Sequence, residues 1–237
     1  MKPNRCLWAA LLAAAAPSVH AGDLGSLGNL AQSEFRNISE DLGAALSYKG
    51  ITPATPLGLT GIDVGLEVTW TRMENSRLFE LAGAGSLSDL VIPKLHVHKG
   101  LFGGLDIGAF VSGAPQISAG FFGAELRYAV LDDTLTTPAV GLRASGTVVT
   151  GLSKLDFKTA AFDVVVSKKL AVATPYIGVG TVRIISEPKG ADLAEESFSK
   201  SRVFTGVNVN FALINVALEA EKLGNNTSLS AKLGWRF

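Results

Sequence analysis

The sequence predicts an all-β protein, an antiparallel transmembrane β-barrel of about 12 strands with a short N-terminal amphipathic helix. Three observations predict this fold. Apolar and polar residues alternate through many segments of about ten residues, the length that a tilted strand needs to cross a bilayer. The mean hydropathy is +0.32, yet no apolar run of about 18 residues is present that could span as a helix. The chain also begins with an export-type segment.

Residues 1–21 are predicted to be a signal peptide. Lys2 and Arg5 precede an unbroken apolar run from Leu7 to Ala16, and Ala21 ends a stretch suited to cleavage. Cys6 is the only cysteine, so we expect neither a disulfide nor a thiolate metal site after cleavage. The chain has 21 basic and 21 acidic residues, which gives no electrostatic footprint for a nucleic-acid partner.

Residues 22–41 have a helical period instead of an alternating one. Leu24, Leu27, Leu30, Phe35 and Ile38 recur at spacings of three to five residues, with polar residues between them. This pattern predicts an amphipathic helix. Two interpretations stay open for it, a plug inside the barrel lumen or a periplasmic cap at its rim.

Residues 42–237 are predicted to form the barrel. In the clearest segment, Ile62, Val64, Leu66, Val68 and Trp70 share one face of a strand, and polar residues or glycine occupy the other. Eleven such segments are present, at 42–50, 60–73, 91–99, 104–112, 117–131, 138–150, 155–168, 174–185, 201–211, 212–222 and 226–237. Because bacterial single-chain barrels have an even number of strands, we place a twelfth at 76–84. Ten strands is the alternative, if the first and third candidates are not strands. The segments 51–59, 85–90 and 186–200 are predicted to face outside.

The C-terminal strand carries the most specific pattern. Leu229, Ala231, Leu233, Trp235 and Phe237 alternate with polar or small residues, and the chain ends on Phe237. At this point the sequence resembles the bacterial outer-membrane β-barrel superfamily, whose members typically end in an amphipathic strand with a terminal aromatic residue. The resemblance implies an outer-membrane location. It also implies recognition by the barrel-assembly machinery, with Leu233, Trp235 and Phe237 as the assembly signal. Trp235 and Phe237 are further expected in an interfacial aromatic girdle.

Charged residues of both signs fall on the predicted inward face. The lumen-lining candidates are Asp63, Glu67, Asp106, Glu125, Arg127, Arg143, Asp163, Arg183, Glu219, Lys232 and Arg236, together with Lys94 and Glu221. Charges in a low-dielectric interior must be paired or solvated. In a narrow barrel they would form a network that fills the lumen, and in a wider one they would line a wet pore.

His96 and His98 are the histidines most open to a chemical interpretation, because both point the same way from one strand. A metal site or a general base would use such a pair, but two ligands are too few for zinc, which needs three or four. We therefore interpret them as polar residues of the lumen or rim and predict no catalytic residue, no metal and no cofactor.

Three functions follow from these features. The first is a monomeric outer-membrane barrel in contact with lipid, acting as a passive pore for small solutes and gated by the N-terminal helix. The second is a closed structural or surface-interaction barrel without transport. The third, and weakest, is an outer-membrane lipid-modifying enzyme.

Overall fold

The computed structural model describes residues 24–114, 117 and 119–237; the predicted signal peptide lies outside them. The described residues form one closed barrel of ten antiparallel strands, in which each strand pairs with its neighbours in sequence and the first pairs with the last. No described helix is long and apolar enough to cross a membrane. The strands are β1 (Ile62–Arg72), β2 (Asp89–Gly100), β3 (Leu105–Ala114), β4 (Ala119–Leu131), β5 (Ala139–Thr150), β6 (Leu155–Ser167), β7 (Ala173–Pro188), β8 (Glu196–Phe211), β9 (Ile214–Leu223) and β10 (Asn226–Arg236). The helices are α1 (Gln32–Leu46) and α2 (Ser76–Leu81), and a 3₁₀ turn spans Leu27–Asn29.

The barrel closes between β1 and β10. Leu66 lies opposite Leu233 in this pair, and the backbones of Ile62 and Phe237 exchange two hydrogen bonds of 3.0 Å at its end. Closure leaves the sheet without a free edge, so every strand can hydrogen-bond on both sides. Along β1 and β10 the side chains alternate between a buried inner face and an outer face on which Leu66 and Leu233 are more than half exposed. The outer face is therefore apolar, as a strand that meets lipid requires.

The two ends of the barrel differ. At one end, which we call the terminal end, β1 begins and β10 ends, and short connections join β2 to β3 and β8 to β9. At the other end, the α2 end, residues 73–88 connect β1 to β2 and include α2. The segments 85–90 and 186–200, which were predicted to face outside, both lie at the α2 end. They are not entirely loops, because β2 begins within the first and parts of β7 and β8 occupy the second.

The residues before β1 lie inside the barrel. We call residues 24–61 the N-terminal segment. Helix α1 contacts β7, β10 and β1 from within, and its side chains Phe35, Ile38 and Leu42 have no exposed surface. Residues 47–61 then run, without helix or strand, to the start of β1. The 3₁₀ turn packs at the α2 end, where the Ser26 N–H donates to the Ala82 carbonyl at 3.0 Å. The segment therefore passes along the lumen from the α2 end to the terminal end.

The structure corrects the predicted number of strands. The count of about 12 is wrong, and the alternative of ten is confirmed. The condition attached to that alternative holds only for the first candidate, because the third, 91–99, lies within β2. The proposed twelfth strand at 76–84 is instead helix α2 and the loop after it, and the candidate at 42–50 is the end of α1 with an extended stretch. Removing both candidates keeps the number even. The segment 42–50 includes the good helix formers Ala44, Ala45 and Leu46, and a helix satisfies its own backbone inside the lumen, where no strand edge is free to pair with it.

Two further boundaries differ from the prediction. The amphipathic helix predicted over 22–41 is a regular helix only from Gln32 and continues to Leu46. The segment 51–59, predicted to face outside, begins inside the lumen, where Ile51 and Thr52 are fully buried. The sequence indicated a loop there because Pro53, Pro56 and Gly58 disfavour regular structure. The same residues suit an irregular segment that the barrel wall encloses.

Candidate functional site: the filled lumen

The half of the lumen next to the α2 end, which we call the helical half, is an apolar core. Helix α1 presents Phe35, Ile38 and Leu42 to the wall, and all three belong to one cluster of buried side chains with Val182 and Ile184 of β7. The fit is close at Gly43, where a Cβ atom would collide with the Ile184 side chain. Because a helix pairs its own N–H and C=O groups, it can pack against an apolar wall without leaving backbone groups unsatisfied.

A few polar contacts fix the position of α1 at the α2 end. The Ser39 hydroxyl lies 2.9 Å from the hydroxyl of Ser186 on β7 and donates to the Phe35 carbonyl at 2.9 Å. Asp41 accepts hydrogen bonds from the Asn75 N–H at 2.8 Å and from the Asn226 amide at 2.7 Å. These contacts join the helix to β7, to β10 and to the loop before α2.

The other half of the lumen, the extended half, is filled by residues 47–61 and is polar. Wall side chains hydrogen-bond directly to the backbone of this stretch. Arginines of three strands donate to its carbonyls: Arg202 to Tyr48 at 2.7 Å, Arg143 to Thr52 at 3.2 Å and Arg127 to Pro53 at 3.3 Å. Ser167 and Asp106 accept from its N–H groups: Ser167 from Ala54 at 3.1 Å and Asp106 from Leu57 at 3.1 Å. A non-helical segment cannot pair its own backbone groups, and the wall supplies the missing partners.

The wall charges of the extended half also pair with one another. Lys94 lies 2.7 Å from Glu67, Lys232 lies 3.0 Å from Asp63, and Arg127 lies 2.7 Å from Asp106. Glu125 lies 3.3 Å from both Arg127 and Arg143. Arg202 Nε donates to Asp163 at 3.0 Å, and Arg236 Nε donates to Asp63 at 2.8 Å. Buried charges placed in this way avoid the several kcal/mol that an unpaired ion costs.

Ion pairs also join the wall to the N-terminal segment: Arg36 and Glu40 of α1 pair with Glu196 and Lys200 of β8, and a more deeply buried pair is formed by Lys49. The Lys49 ammonium group lies 2.5 Å from Glu221 of β9 and donates to the Ala44 carbonyl at 2.8 Å. Both side chains are almost completely buried. The neighbouring acid Glu219 accepts a hydrogen bond from the Tyr176 hydroxyl at 2.9 Å. Lys49 therefore links the charge network of the wall to the end of α1.

The two histidines lie in the middle of the lumen. Both side chains are fully buried. His98 Nε2 is 3.0 Å from Glu125 and 3.3 Å from the Tyr48 hydroxyl, and His96 forms an ion-pair contact with Glu67. The His96 ring stacks on Phe110. Among residues 24–114, 117 and 119–237, no group of three or more His, Cys, Asp and Glu side chains is placed to hold a metal ion.

The structure puts most of the predicted lumen residues inside the barrel. The buried ones are Asp63, Glu67, Lys94, Asp106, Glu125, Arg127, Arg143, Asp163, Glu219, Glu221 and Lys232; Arg236 is partly buried, with its guanidinium on Asp63. Arg183 is the exception. It is exposed on the outer face of β7, where it has the same strand parity as Ile177 and Val179, and its assignment to the lumen is wrong. The alternation of β7 itself assigns Arg183 to the outer face.

The cations Arg202 and Lys49 are buried in the lumen although the sequence did not identify them. Arg202 is fully buried and has the same strand parity as Phe204, so the alternation of β8 could have identified it. Lys49 could not be identified from the alternation, because it lies in a stretch predicted as a strand, where the structure has an extended segment inside the lumen.

Side chains of the wall and of the N-terminal segment pack closely across the described lumen. Side chains from several strands and from the N-terminal segment, including Asp63, Lys94, His98, Tyr48 and Arg202, have 0–2% of their surface exposed. A continuous channel past these groups would expose them to solvent. In the described structure the inward charges form a paired network, which is one of the two arrangements that the sequence left open.

A closed antiparallel sheet with an apolar outer face is the architecture of transmembrane β-barrels, and the predicted resemblance to the bacterial outer-membrane β-barrel superfamily is confirmed at the level of the fold. Trp235 and Phe237 are exposed on the outer face at the terminal end, as the interfacial girdle requires; their role in assembly stays a prediction.

The chain matches no protein-family model and no curated protein. It is similar in structure to OmpTdeltaL8, a loop L8 deletion mutant of OmpT, an outer membrane protein of Vibrio cholerae, at 16% identity and a TM-score of 0.32, over 63% of this chain and 54% of that chain. It is also similar to the KdgM porin, at 8% identity and a TM-score of 0.37, over 73% of this chain and 99% of that chain. The Neisserial surface protein A matches at 10% identity and a TM-score of 0.31, over 74% of this chain and 94% of that chain. The chain thus spans about half the length of the first of these proteins.

Proposed function

We propose that this protein is a closed outer-membrane β-barrel that passes no solute and acts through the surfaces at its two ends. The observation that carries the proposal is the hydrogen bonding between wall side chains of the extended half and the backbone of residues 48–57. A pore lining would direct its charged groups at water. Here these groups satisfy the N-terminal segment, so the wall and the segment form one structure.

The helical half supports the same proposal. Fully burying a large apolar side chain such as Phe35, Ile38 or Leu42 contributes roughly 1.5–3 kcal/mol. Withdrawing α1 would expose these side chains and the apolar wall around them. The resting barrel is therefore closed at both halves, by apolar packing next to the α2 end and by hydrogen bonds towards the terminal end.

Conductance measurements test this proposal. The refolded protein, inserted into a planar bilayer, is expected to show no conductance steps. Insertion is checked separately by altered migration of the unboiled protein on a gel and by protease protection in vesicles. Steady steps from the inserted wild-type protein would overturn the proposal.

A gated pore is the second candidate, and one observation favours it. The wall pairs Glu67–Lys94, Asp63–Lys232 and Asp163–Arg202 are complete without the N-terminal segment, so the extended half could hold water if the segment moved. A disulfide-linked variant separates the two candidates. Ser39→Cys combined with Ser186→Cys would link α1 to β7, because the two hydroxyls lie 2.9 Å apart. A gated pore would be established if the wild-type protein shows conductance steps, the oxidised variant shows none, and the steps appear when the variant is reduced.

The third prediction, a lipid-modifying enzyme, has no specific support from the described residues. His96 and His98 are enclosed by the barrel wall and by Tyr48, on the opposite side of the sheet from any bound lipid. The absence of enzymatic activity stays a prediction. An inserted sample that releases fatty acid from outer-membrane lipid, with loss of that activity in His96→Ala and His98→Ala variants, would contradict it.

A further inference from the structure

The outer faces of β6, β7 and β8 carry a polar patch at the α2 end. Its members are Lys158, Thr181, Arg183, Ser197, Ser199 and Ser201, all exposed, and we call them the β6–β8 patch. Further along the same strands towards the terminal end, the outward residues are apolar: Ile177 and Val179 on β7, Val203 on β8 and Phe162 on β6, each about half exposed. On β7 and β8 the outward residues change within two residues from Val179 and Val203 to Thr181 and Ser201. On β6 the change is more gradual, because Ala160 lies between Phe162 and Lys158, and the apolar Val148 and Ile185 lie directly beside Lys158.

The strand register brings the members of the patch together. Arg183 lies directly opposite Ser199, and Thr181 lies opposite Ser201. On the other side, Arg183 lies opposite Ala160 and Lys158 lies opposite Ile185, which makes Lys158 and Arg183 diagonal neighbours. Such neighbours on one face of a sheet lie roughly 7–8 Å apart, a spacing that one phosphate group can bridge with its oxygens.

The two cations of the patch are not used by the fold. Arg183 Nη2 donates to the Ser197 hydroxyl at 2.8 Å, which orients the guanidinium along the outer face. Within the described chain, no ion pair joins Arg183 or Lys158 to a carboxylate. A guanidinium presents several N–H groups in a fork that fits phosphate oxygens, and most of them stay free here.

Two acids adjoin Lys158 on the outer side of the patch, and one of them, Glu187, is a diagonal neighbour of Lys158 as Arg183 is. Asp156 and Glu187 face each other on β6 and β7, beyond Lys158 and Arg183 on the side away from the apolar surface. Lys189 lies 2.5 Å from Asp156 and compensates its charge. The cationic level of the wall therefore lies between the apolar band and this partly neutralised acidic level.

We propose that the β6–β8 patch binds the phosphorylated sugar headgroup of an outer-leaflet glycolipid. Arg183 and Lys158 would hold the phosphate, the serine and threonine hydroxyls would hydrogen-bond to the sugar, and the acyl chains would lie against Ile177, Val179 and Val203. A lipid fits better than a soluble anion because the cations adjoin an apolar surface of the same strands. The inference depends on the proposed outer-membrane location with the α2 end outward, but not on whether the lumen is closed.

Binding to a defined glycolipid tests the site. The protein in a neutral detergent is titrated with a diphosphorylated, acylated disaccharide, and bound lipid is counted by native mass spectrometry. The double variant Lys158→Gln with Arg183→Gln is expected to bind about tenfold more weakly, as the loss of charge-assisted hydrogen bonds implies. Both residues are exposed, so the variant should fold, and unboiled gel migration checks this.

A matched control is available on β1. Arg72 is also an exposed cation at the α2 end, and it lies opposite Asp89. Arg72→Gln is expected to leave the affinity unchanged, and an equal loss in this variant would overturn the assignment to the β6–β8 patch. The dephosphorylated lipid should bind the wild-type protein as weakly as the phosphorylated lipid binds the double variant. Full displacement of the lipid by an equal concentration of inorganic phosphate would show a plain anion site and would overturn the glycolipid proposal. The conductance outcome affects none of these results.

Discussion

The two halves of the lumen are filled by the same N-terminal segment in opposite ways. In the helical half the segment is α1, and the wall around it is apolar. In the extended half the segment has no regular structure, and the wall around it is charged. The difference follows from backbone hydrogen bonding. A helix needs only apolar contacts from its surroundings, whereas an extended chain enclosed by a barrel needs a donor or acceptor for each buried peptide group.

This comparison changes the meaning of the inward charges. A row of charged residues on the inner face of a barrel strand is typical of a wet pore. In this barrel Arg127, Arg143 and Arg202 donate to carbonyls of residues 48–53 instead. These side chains therefore hydrogen-bond to the backbone of the segment, as a neighbouring strand would in a sheet. A charged lumen indicates an open channel only when nothing inside the barrel requires those charges.

The largest effect is expected in the extended half, from Arg202→Met. This change removes the partner of Asp163 and the donor to the Tyr48 carbonyl and leaves a buried carboxylate uncompensated. Loss of one partner of a buried pair lowers the free energy of unfolding by about 3–5 kcal/mol. Equilibrium urea unfolding in lipid vesicles, followed by tryptophan fluorescence, measures it.

The control replaces both members of the pair. The double variant Asp163→Leu with Arg202→Met removes the uncompensated charge and should recover most of the loss, leaving the missing bond to Tyr48. If the double variant is as unstable as the sum of the two single variants, the pair does not act as a unit and the described role of Arg202 is wrong.

A smaller effect is expected in the helical half, from Gly43→Val. The added side chain would press against Ile184, where β7 and α1 approach closely. Overpacking of this kind costs about 1–3 kcal/mol of unfolding free energy. Combining Gly43→Val with Ile184→Ala makes room for the new side chain and should restore part of the stability. The same urea experiment measures both variants, and an Ile184→Ala change that adds to the loss would argue against close packing at this point.

How far the sequence predicts this molecule differs between wall and lumen. The alternation at Leu66, Val68 and Trp70 predicts a strand because successive side chains of a strand point to opposite faces of the sheet. Nine further strands follow the same rule. The exposed Arg183 follows the same alternation, because it has the outward parity of Ile177 and Val179. It lies beyond the apolar part of that outer face. Within the wall, the alternation agrees with the observed faces, and Arg183 was assigned to the lumen against it.

The contents of the lumen could not be predicted in this way. The stretch from Leu42 to Gly50 was assigned to a strand, although only the presence of a complete barrel around it decides that it is a helix followed by an extended chain. The role of Lys49 depends on its ion pair with Glu221, which is 172 residues away in sequence. Hydrogen bonds from the wall to the backbone leave no pattern in the sequence of the segment, because any residue provides the same carbonyl.

Within the helical half, Ser39→Ala is expected to have a modest effect. Ser39 donates to a carbonyl of its own helix and meets the Ser186 hydroxyl, and both partners are neutral. Loss of such a hydrogen bond lowers the free energy of unfolding by about 1 kcal/mol, well below the effect expected for Arg202. Ser33→Ala, at an exposed position of the same helix, should have almost no effect. A Ser39→Ala loss as large as that of Arg202→Met would erase the distinction between the two halves.

The smallest effect is expected outside both halves, at the β4–β5 connection of the terminal end. The Lys168 ammonium group lies 2.7 Å from Asp133, and the Lys169 N–H donates to the same carboxylate at 2.8 Å. The hydrogen bond from Lys168, with that from Lys169, holds the pKa of Asp133 below its usual value of 3.8. A lowered pKa means that the ionised carboxylate stabilises the folded state at neutral pH and that this contribution is lost as the pH falls through the folded pKa. Asp133→Asn should therefore lower the thermal unfolding temperature slightly at pH 7, and the difference from wild type should shrink below about pH 4. A difference of unchanged size at pH 3 would show that the charge of Asp133 plays no part. This partly buried pair at a turn would then contribute differently from the fully buried pairs of the extended half.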